Sequence, residues 1–481
     1  MPEGGDHVTG RAPGKCLSTL AGAVAATGLK DGATISFHHH LRNGDAVINT
    51  VVDMLAEAGL RDLHLAVTSL FPVHAPLVRH IQSGVIGRIS ASFISGPVGE
   101  AISRGALATP VTLRSHGGRA RAIDMGEIPI DVAFVAAPAA DEMGNLSGRA
   151  GRAPCGTLGY PMVDVDSATH VVAVTDTLVP FPVTPIDIPQ HKVDFVAAIP
   201  SIGDPGGIAS GATNPATDAL SLGIAENTAA VIAASGLLED GFAFQTGAGG
   251  ISLATAAAVG REMRTRGVVG SFACGGITGF HVEMLEAGLF RALMDVQCFD
   301  LAAVASYSRN ANHMAMSASA YAGPHVGGAV VDRLSAVVLG AAEVDMGFNV
   351  NVTTRAGGIL IGGSGGHADA AQGAQLTLIT TRLTAAGYPK IVPRVTTLTT
   401  PGPSVDVVVT EAGLAINPAR EDLSARLAKA GLPVVTMEDL AAKAQAAATK
   451  AVPPRAQGRI VAMSEYRDGT FIDEIRQIDE A

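Results

Sequence analysis

GLKDGATISF, residues 28–37, and GLLEDGFAF, residues 236–244, are related stretches, and their repetition decides the fold that we predict. In each stretch a turn bounded by glycines leads into an apolar strand. The chain then passes through a short loop into a helix that ends at a glycine, Gly59 after the first stretch and Gly267 after the second. A supersecondary unit that recurs in this way indicates an internal repeat. We therefore predict two similar lobes that meet near residue 235.

Elsewhere in the chain, short apolar runs alternate with amphipathic segments. The runs are typical of buried parallel strands and the segments have helical spacing, which together predict an α/β fold with mostly parallel sheets flanked by helices. Strands are predicted at residues 34–37, 63–67, 131–137, 170–175 and 194–199, and at residues 242–244, 270–274, 336–339, 358–361, 376–380 and 405–410. The chain then divides into an N-terminal extension (1–27), a first lobe (28–235), a second lobe (236–450) and a C-terminal tail (451–481).

Composition excludes several classes of protein. The 481 residues, 47% of them hydrophobic, suffice for about two or three hydrophobic cores. A net charge of −11 without any Lys/Arg run argues against a nucleic-acid partner. The four cysteines show no CxxC spacing, and no apolar run is long enough to span a membrane. We expect a soluble, cytoplasmic protein with reduced thiols.

The loop GGSGGH, residues 362–367, follows the predicted strand at 358–361 and carries the densest signal for chemistry. Glycines let a ligand approach backbone N–H groups, which can stabilise a phosphate or a developing oxyanion. A dinucleotide site also needs an acidic residue about 20 positions further on, and none lies between Asp369 and Asp406. The loop lacks the GK[ST] ending of a P-loop as well. These absences favour an oxyanion site, with a simple tight turn as the alternative.

Two further glycine runs, residues 247–250 and 275–279, follow predicted strands of the same lobe. The carboxyl ends of parallel strands meet at one edge of a sheet, so we predict a shared crevice for a thin, extended ligand.

Cationic and polar residues follow the first strand in HHHLRN, residues 38–43. Zinc binding is disfavoured, because alternate histidines of a strand face opposite sides and no Cys, Asp or Glu nearby completes a tetrahedral set. We therefore predict no metal site and expect this segment, and the loop around Arg114 and Arg119, to bind carboxylates. Ordinary structural roles for these residues are the alternative.

At this level the chain resembles a known family, the alpha subunits of citrate lyase, over residues 31–422, and more distantly the coenzyme A transferases. The matching phrases are ISFHHHLRNGD (35–45), SLFPVH (69–74), GPVGEAISRG (96–105), FQTGAGG (244–250), GSFACGGITG (270–279), DVQCFDL (295–301), GGSGGHAD (362–369) and VDVVVTEAGLAINP (405–418).

The resemblance implies a transferase that converts an acetyl-carrier thioester and citrate into a citryl-carrier thioester and acetate. It implies two partner subunits in an oligomeric complex: a lyase (beta) subunit that splits the citryl thioester, and an acyl carrier (gamma) subunit. The reacting thiol would belong to a phosphoribosyl-dephospho-CoA group on the carrier, or to CoA, so this chain would hold no cofactor of its own. A citramalate-specific relative is an open alternative.

Many coenzyme A transferases carry a nucleophilic glutamate after the second strand of the second half, where this chain reads SFACGG, residues 271–276. The absence of that glutamate implies that the acceptor carboxylate attacks the thioester directly, with both substrates bound together. Glu283, Glu286 and Glu411 are the candidates if a glutamyl intermediate forms after all, and Cys274 is a weaker nucleophile. A non-catalytic scaffold for the other subunits is a further alternative.

Taken with the resemblance, these patterns assign three sets of site residues. Residues expected to hold the reacting carbonyl are Gly363, Gly365, Gly366 and His367. Residues expected to line the carrier arm are Gly247, Gly249, Gly250, Gly275, Gly276 and Gly279. Residues expected to bind substrate carboxylates are His38, His40, Arg42, Asn43, Arg114 and Arg119.

Overall fold

The computed structural model describes residues 14–209, 216–247 and 249–478. Up to residue 209 the strands and helices are, in chain order, β1 (Cys16–Leu17), α1 (Leu20–Thr27), β2 (Thr34–Phe37), α2 (Val47–Glu57), β3 (Leu63–Val67), β4 (Ser69–Leu70), α3 (Leu77–Gln82), β5 (Ile86–Ala91), β6 (Phe93–Ile94), α4 (Gly96–Ser103), β7 (Val111–Arg114), α5 (His116–Asp124), β8 (Val132–Ala137), β9 (Ala139–Asp141), β10 (Leu146–Ser147), α6 (Pro161–Ser167), β11 (His170–Thr175), β12 (Leu178–Val179) and β13 (Phe195–Ala198).

From residue 216 onward they are α7 (Ala219–Ser235), β14 (Ala243–Thr246), α8 (Gly250–Arg266), β15 (Gly270–Ile277), α9 (Gly279–Glu286), β16 (Phe290–Cys298), α10 (Leu301–Arg309), β17 (His313–Ala315), α11 (Ala318–Ala322), β18 (Ala336–Gly340), β19 (Glu343–Asp345), β20 (Val350–Asn351), α12 (His367–Gly373), β21 (Thr377–Thr380), β22 (Thr384–Ala385), β23 (Tyr388–Pro389), β24 (Ile391–Val392), β25 (Val407–Thr410), β26 (Gly413–Ile416), α13 (Glu421–Lys429), α14 (Met437–Ala447), β27 (Ile460–Glu465) and β28 (Phe471–Arg476).

Two large sheets organise these elements. A ten-stranded sheet has the order β1-β13-β11-β8-β2-β3-β5-β7-β27-β28, and an eight-stranded sheet has the order β17-β16-β15-β14-β18-β21-β25-β26. Neighbouring strands are parallel except β27 with β28 and β25 with β26. Buried strands such as β8, in which every residue is buried, are typical of parallel sheets covered by helices on both faces. The predicted α/β class with mostly parallel sheets flanked by helices is confirmed.

The two sheets share a strand order. In the first, β2 is followed outward by β3, β5 and β7 on one side and by β8, β11 and β13 on the other. In the second, β14 is followed by β15, β16 and β17 on one side and by β18, β21 and β25 on the other. The strands β2 and β14 are those that follow the repeated glycine turns, so the repeat occupies corresponding places in both sheets.

Asp45, Gly59 and Gly267 have the local geometry that begins or ends a helix. The Asp45 carboxylate accepts a hydrogen bond from the Val47 amide at 2.7 Å and so caps the first turn of α2. Gly59 and Gly267 have φ angles of +87° and +68°, the left-handed conformation in which helices end most readily at glycine. The helices therefore begin and end where side-chain and backbone chemistry favours it.

Residues 358–361, predicted as a strand, do not form one. Gly357 and Gly358 both have φ of +92°, so the chain turns twice before the apolar residues. The Leu360 amide then donates to the Ser103 hydroxyl at 2.9 Å, and Ile361 donates to the Thr353 carbonyl. Leu360 is buried beside α4, whereas Ile361 is exposed, and the run forms no strand of a sheet. The glycine loop therefore follows an irregular segment and not a parallel strand.

The segments set apart at the two ends of the chain are parts of the ten-stranded sheet. Within the extension, β1 pairs with β13, and within residues 451–481, β27 pairs with β7 and β28 with β27. The chain thus returns from the eight-stranded sheet to the first one. Among the described residues no helix combines the length and apolar character needed to cross a membrane.

Candidate active site

A cavity of about 390 Å³ lies where the carboxyl ends of the two sheets face each other. It is lined by His39, Arg42, Ser69, Phe71, Phe93, His116 and Tyr160 from the first half of the chain, and by Gln245, Thr246, Gly247, Gly249, Gly276, Val296, Phe299, Tyr321, Leu339, Gly340, Val352 and residues 363–367 from the second. Carboxyl ends of parallel strands are the usual place for ligands in α/β folds. Both halves of the chain therefore contribute to one site.

Arg42 provides a positive charge in the wall of this cavity. Its guanidinium lies 4.3 Å from the centroid of the Phe299 ring, a cation–π distance, and burial lowers its pKa only to about 10, so it is charged at neutral pH. Its Nε and Nη1 atoms are buried without a hydrogen-bond partner, and no acidic side chain in the described ranges lies within 4.0 Å. A buried charge without a counter-ion is costly, so the site favours an anionic ligand.

The second half of the chain holds Arg42 in place. A Cβ at Gly276 would overlap the Phe299 ring, so glycine at this position lets the ring lie beneath the guanidinium. At the end of the neighbouring strand β16, the Gln297 side-chain amide donates to the His39 carbonyl at 2.6 Å. Arg42 itself has φ of +53°, which is unfavourable for a residue with a side chain and typical of strain at functional sites.

Two histidines and a tyrosine form the polar part of the wall beside Arg42. The His39 and His116 rings pack on Tyr160, with centroid separations of 4.8 and 4.6 Å. The His39 Nδ1 lies 2.6 Å from the Thr68 hydroxyl, whereas the His116 Nδ1 is buried without a partner. Burial lowers the pKa of both imidazoles, that of His116 to about 3. Neutral imidazoles at this position can donate one hydrogen bond each to a ligand.

The glycine loop is fixed to the first half of the chain by backbone hydrogen bonds. The Gly362 carbonyl accepts from Ile94, and the Gly365 carbonyl accepts from His116 at 2.7 Å. Gly365 has φ of +51°, a conformation that a residue with a side chain disfavours. Within the described ranges, the amides of Gly363, Ser364 and Gly366 donate to no protein acceptor, and all three residues line the cavity. The loop thus offers several N–H donors to a ligand oxygen.

The His367 side chain makes two hydrogen bonds that support the loop, and its role at the reacting carbonyl stays a prediction. Its Nε2 donates to the Gly340 carbonyl at 2.9 Å, because a carbonyl can only accept, and its Nδ1 accepts from the Thr400 hydroxyl at 2.7 Å. Burial lowers its pKa to about 4, so the ring stays neutral. Both ring nitrogens of His367 already have hydrogen-bond partners. The free donors of the loop are therefore its backbone amides.

Asp369, in the first turn of α12, joins the loop to two other parts of the chain. Its carboxylate accepts from the Ser115 hydroxyl at 2.8 Å and from the Gly117 amide at 2.9 Å. The Nε of Arg467, which lies between β27 and β28, is 3.5 Å away. Burial raises the pKa of this carboxyl to about 6 despite the arginine. The C-terminal strands thereby contribute to the position of the loop.

Half of the glycines expected along the carrier arm lie at the cavity. Gly247, Gly249 and Gly276 line it. Gly250 begins α8, Gly275 packs against the Gln245 side chain, and the Gly279 amide donates to Asp300 at 2.7 Å. These last three serve the local structure.

Of the residues expected to bind carboxylates, Arg42 lines the cavity and the other five lie outside its wall. The Arg119 guanidinium makes two hydrogen bonds to the Asp164 carboxylate, at 2.8 and 2.9 Å, and the Arg114 Nε donates to Glu465 at 2.9 Å. Both arginines are neutralised inside the protein, as buried guanidinium groups usually are. The other three side chains make contacts away from the cavity. His38 is buried beside the Ala136 backbone, the His40 Nε2 donates to the Ile202 carbonyl, and the Asn43 Oδ1 accepts from the Val73 amide.

No aspartate or glutamate lines the cavity within the described ranges. Glu411 accepts hydrogen bonds from the Leu383 amide, Glu286 pairs with Arg309, and Glu283 is exposed on α9. The Cys274 thiol is buried, donates to the Gln245 side chain at 3.3 Å and has a raised pKa, as expected of an unreactive thiol. The side chains at the cavity are therefore suited to binding and polarising a ligand rather than to attacking it.

Asp295, Cys298 and His313 form one buried cluster of metal-ligand residue types away from the cavity, which the sequence analysis did not foresee. One Asp295 oxygen accepts from the Cys298 thiol and from the His313 Nε2, each at 3.0 Å. The cluster is a hydrogen-bonded triad, and we assign it no ligand.

The fold and the site define the class of protein first. The chain superposes on 4-hydroxybutyrate CoA-transferase from Porphyromonas gingivalis with a TM-score of 0.56 at 18% identity, covering 90% of this chain and 93% of the other. It superposes on the alpha subunit of malonate decarboxylase from Acinetobacter baumannii with a TM-score of 0.64 at 15% identity, covering 90% and 92%. This is the coenzyme A transferase fold.

Closer relatives define the family. The family model "Citrate lyase, alpha subunit" matches residues 14–478. The citrate lyase alpha chain of Escherichia coli K12 is 46% identical over 97% of this chain and 91% of its own length, and that of Haemophilus influenzae is 43% identical over 97% and 93%. A Streptococcus mutans structure, described as the alpha subunit of citrate lyase in complex with citrate, gives a TM-score of 0.95 at 46% identity over 98% and 93%.

The chain belongs to the citrate lyase alpha subunit family, and it is an enzyme of the coenzyme A transferase type. The resemblance inferred from the sequence motifs is confirmed.

The strain at Arg42 predicts an unusual order of stability between two variants. A glycine tolerates φ of +53° and an alanine does not, so we expect Arg42→Gly to be more stable than Arg42→Ala by about 1 kcal/mol. Urea unfolding of both variants measures the difference. Val47, in helix α2, offers the matched control, because Val47→Gly is expected to be less stable than Val47→Ala. Equal stability at position 42, or a more stable alanine, would contradict the account of strain.

The raised pKa of Asp369 predicts a pH dependence of stability. The folded state binds this proton more tightly than the unfolded state, whose carboxyl has a pKa near 3.8, so the contribution is largest at low pH and is lost as pH rises through about 6. We expect the unfolding free energy of the wild type, minus that of Asp369→Asn, to fall by about 2–3 kcal/mol between about pH 4 and pH 7. Denaturant titrations at several pH values measure it. A flat or rising difference would show that the carboxyl is ionised throughout this range.

Proposed function

We propose that this chain exchanges acyl groups on a carrier thiol: acetyl-S-carrier and citrate give citryl-S-carrier and acetate. The observation that carries the proposal is Arg42, a buried guanidinium with no counter-ion among the described residues, in the same cavity as the glycine-loop amides that donate to none of them. One feature suits a carboxylate and the other suits the oxygen of a thioester carbonyl. Their proximity suits a reaction between the two.

The acid is proposed to sit at the Arg42 end of the cavity. Arg42 would donate to one carboxylate, and the neutral His116 and His39 rings would donate to further oxygens of the acid. The relative from Streptococcus mutans, 46% identical over 98% of this chain, is described as a complex with citrate, which supports citrate as the acid here. A tricarboxylate keeps two free carboxylates while the third reacts, so more than one donor is needed.

The thioester is proposed to lie with its carbonyl oxygen at the amides of Gly363, Ser364 and Gly366. Negative charge develops on that oxygen during attack, and fixed N–H donors in a site that excludes water stabilise it without reorganisation. Losing one such donor typically costs about 10²–10³ in rate. Gly247 and Gly249 line the cavity without side chains and leave room beside this position for the thin arm that carries the sulfur.

The reaction then proceeds in two balanced exchanges. A citrate carboxylate oxygen attacks the acetyl carbon, the tetrahedral oxyanion collapses, and the carbon–sulfur bond breaks to give an acetyl–citryl anhydride and the carrier thiolate. The thiolate attacks the citryl carbon of the anhydride, and the carbon–oxygen bond breaks to give citryl-S-carrier and acetate. No proton needs to move at either step. The enzyme positions the reactants and stabilises each oxyanion, which can supply a large part of the acceleration.

Direct attack is favoured over an enzyme-bound glutamyl thioester. No carboxylate of the described residues lines the cavity, and the three glutamates considered as nucleophiles are engaged or exposed elsewhere. We further propose that the thiol belongs to a phosphoribosyl-dephospho-CoA group of an acyl carrier subunit, that a lyase subunit splits the product, and that this chain binds no cofactor of its own.

The test is an assay of acetate release from acetyl-S-carrier, run with citrate, citramalate and short fatty acids as acceptors. We expect release and a new thioester with citrate, and a rise of about 10–100-fold in the KM for citrate in Arg42→Lys, since a point charge replaces a planar donor. Arg79→Lys, at an exposed position, is the matched control. Binding of the carrier without acetate release would favour a scaffold and reject the transferase.

Borohydride reduction during turnover separates the two mechanisms. Direct attack leaves every glutamate intact, as peptide mass spectrometry would report. Conversion of one glutamate to its reduced alcohol would identify a covalent intermediate and reject direct attack.

A further inference from the structure

The Tyr321 hydroxyl is a polar group in the cavity wall that the proposed reaction has not used. Its ring is buried at the end of α11, and the residue lines the cavity. The hydroxyl lies directly beside the glycine loop, because a Cβ at Gly366 would overlap it. Gly366 is also one of the residues whose amide is free. Tyr321 and Gly366, whose amide is free among the described residues, therefore border the same part of the cavity.

A short chain of hydrogen bonds fixes which way this hydroxyl points. The Cys274 thiol, 3.3 Å from the Gln245 Oε1, stays protonated because burial raises its pKa, and so it donates to that oxygen. The other end of the amide, Nε2, is then directed at Tyr321 and donates to the phenol oxygen at 2.8 Å. Gln245 can donate but not accept on this side. The phenol oxygen is thus an acceptor toward Gln245.

The proton of Tyr321 is consequently available to a ligand. Within the described ranges the hydroxyl donates to no protein acceptor, since its single protein partner is the Gln245 amide. Burial raises the pKa of the phenol well above its usual value, so the group remains a neutral donor at physiological pH. A neutral donor with its acceptor side already occupied is well suited to an oxygen that gains negative charge.

We propose that Tyr321 is a catalytic residue that donates its phenolic hydrogen bond to the thioester carbonyl oxygen as that oxygen becomes an oxyanion. It would act together with the free amides of the glycine loop, and Gln245 would be a positioning residue that acts through it. The inference rests on the proposed acyl exchange. It assigns the oxyanion site a side-chain donor in addition to backbone amides.

The neighbouring glycine explains how Gln245 reaches this position. Gly275 has φ of +98°, and a Cβ there would overlap the Gln245 amide. The pairing of β15 with β16 also shifts register between Gly275 and Gly276. The end of β15 therefore has a backbone shape that leaves room for the Gln245 side chain. It belongs to the segment 271–276, where a covalent transferase would carry its nucleophile.

Tyr321→Phe tests the proposal, because it removes the hydroxyl and keeps the ring. We expect the kcat for acetate release to fall by about 10²-fold, with the KM for citrate within about twofold of the wild type, since the bond strengthens only as charge develops. Tyr388→Phe on β23, away from the cavity, is the matched control and should keep the wild-type kcat. Thermal unfolding of both variants checks that the fold is retained.

Gln245→Glu gives a second, directional test. A carboxylate at this position accepts the phenolic proton and turns it away from the cavity, so kcat should fall even though Tyr321 is intact. If Gln245 acts through Tyr321, adding Gln245→Glu to Tyr321→Phe should change kcat by less than about threefold further. A structural role would instead give losses that multiply.

The outcomes distinguish this inference from the proposed function. A wild-type chain that releases acetate, together with a Tyr321→Phe variant of unchanged kcat, would overturn the role of Tyr321 and leave the acyl exchange standing. A raised KM for citrate with unchanged kcat would make Tyr321 a substrate-binding group and also overturn the inference. A wild-type chain without acetate release would overturn both.

Discussion

The docking of the glycine loop onto the ends of the first sheet is the interaction on which the site depends. Backbone hydrogen bonds from Ile94 and His116 to the loop carbonyls, and the Asp369 carboxylate on Gly117, bring the two halves of the chain together along one edge. The cavity exists because these strand ends face each other. The same bonds occupy the loop carbonyls and leave several of its amides free, which gives the loop its chemistry.

Arg42 shows the cost of this arrangement. The residue combines an unfavourable φ angle with a buried charge that has no partner in the part of the chain that the structure describes, and both features destabilise the free protein. Arg114 and Arg119, in contrast, are paired with carboxylates inside the protein. An anionic ligand would supply the missing partner of Arg42. Binding of the acid would therefore also remove the destabilisation caused by the unpaired charge of Arg42.

Sequence analysis predicted the regular parts of the fold well and the site in part. Strands 34–37, 63–67 and 170–175 were predicted to the residue, because each is a bounded apolar run. The run at 358–361 has the same pattern, but Ile361 is exposed and no strand forms there. The strands β27 and β28 lie in a polar segment that pairs only after a long return of the chain. Periodicity reports burial and cannot report the pairing partner.

The glycine runs of the site could be predicted because glycine acts on the local backbone conformation and on the room beside it. Arg42 could be predicted because it follows a strand. The pattern could not separate Arg42 from Arg119, since only the fold shows which arginine meets Asp164. Tyr160 and Tyr321 lie far from the motifs in the chain and reach the cavity through tertiary packing alone. Gln245 lies within the motif FQTGAGG, residues 244–250, where a polar side chain follows the apolar Phe244 just before the glycine run.

The most direct test of the central claim, that the acid and the thioester share this cavity, is a crystal structure with citrate and an unreactive thioether analogue of the acetyl carrier arm. The account predicts a citrate carboxylate at the Arg42 guanidinium and the analogue's carbonyl oxygen within hydrogen-bond distance of the Gly363, Ser364 or Gly366 amides. Citrate bound at another position, or a carbonyl held away from the glycine loop, would contradict it.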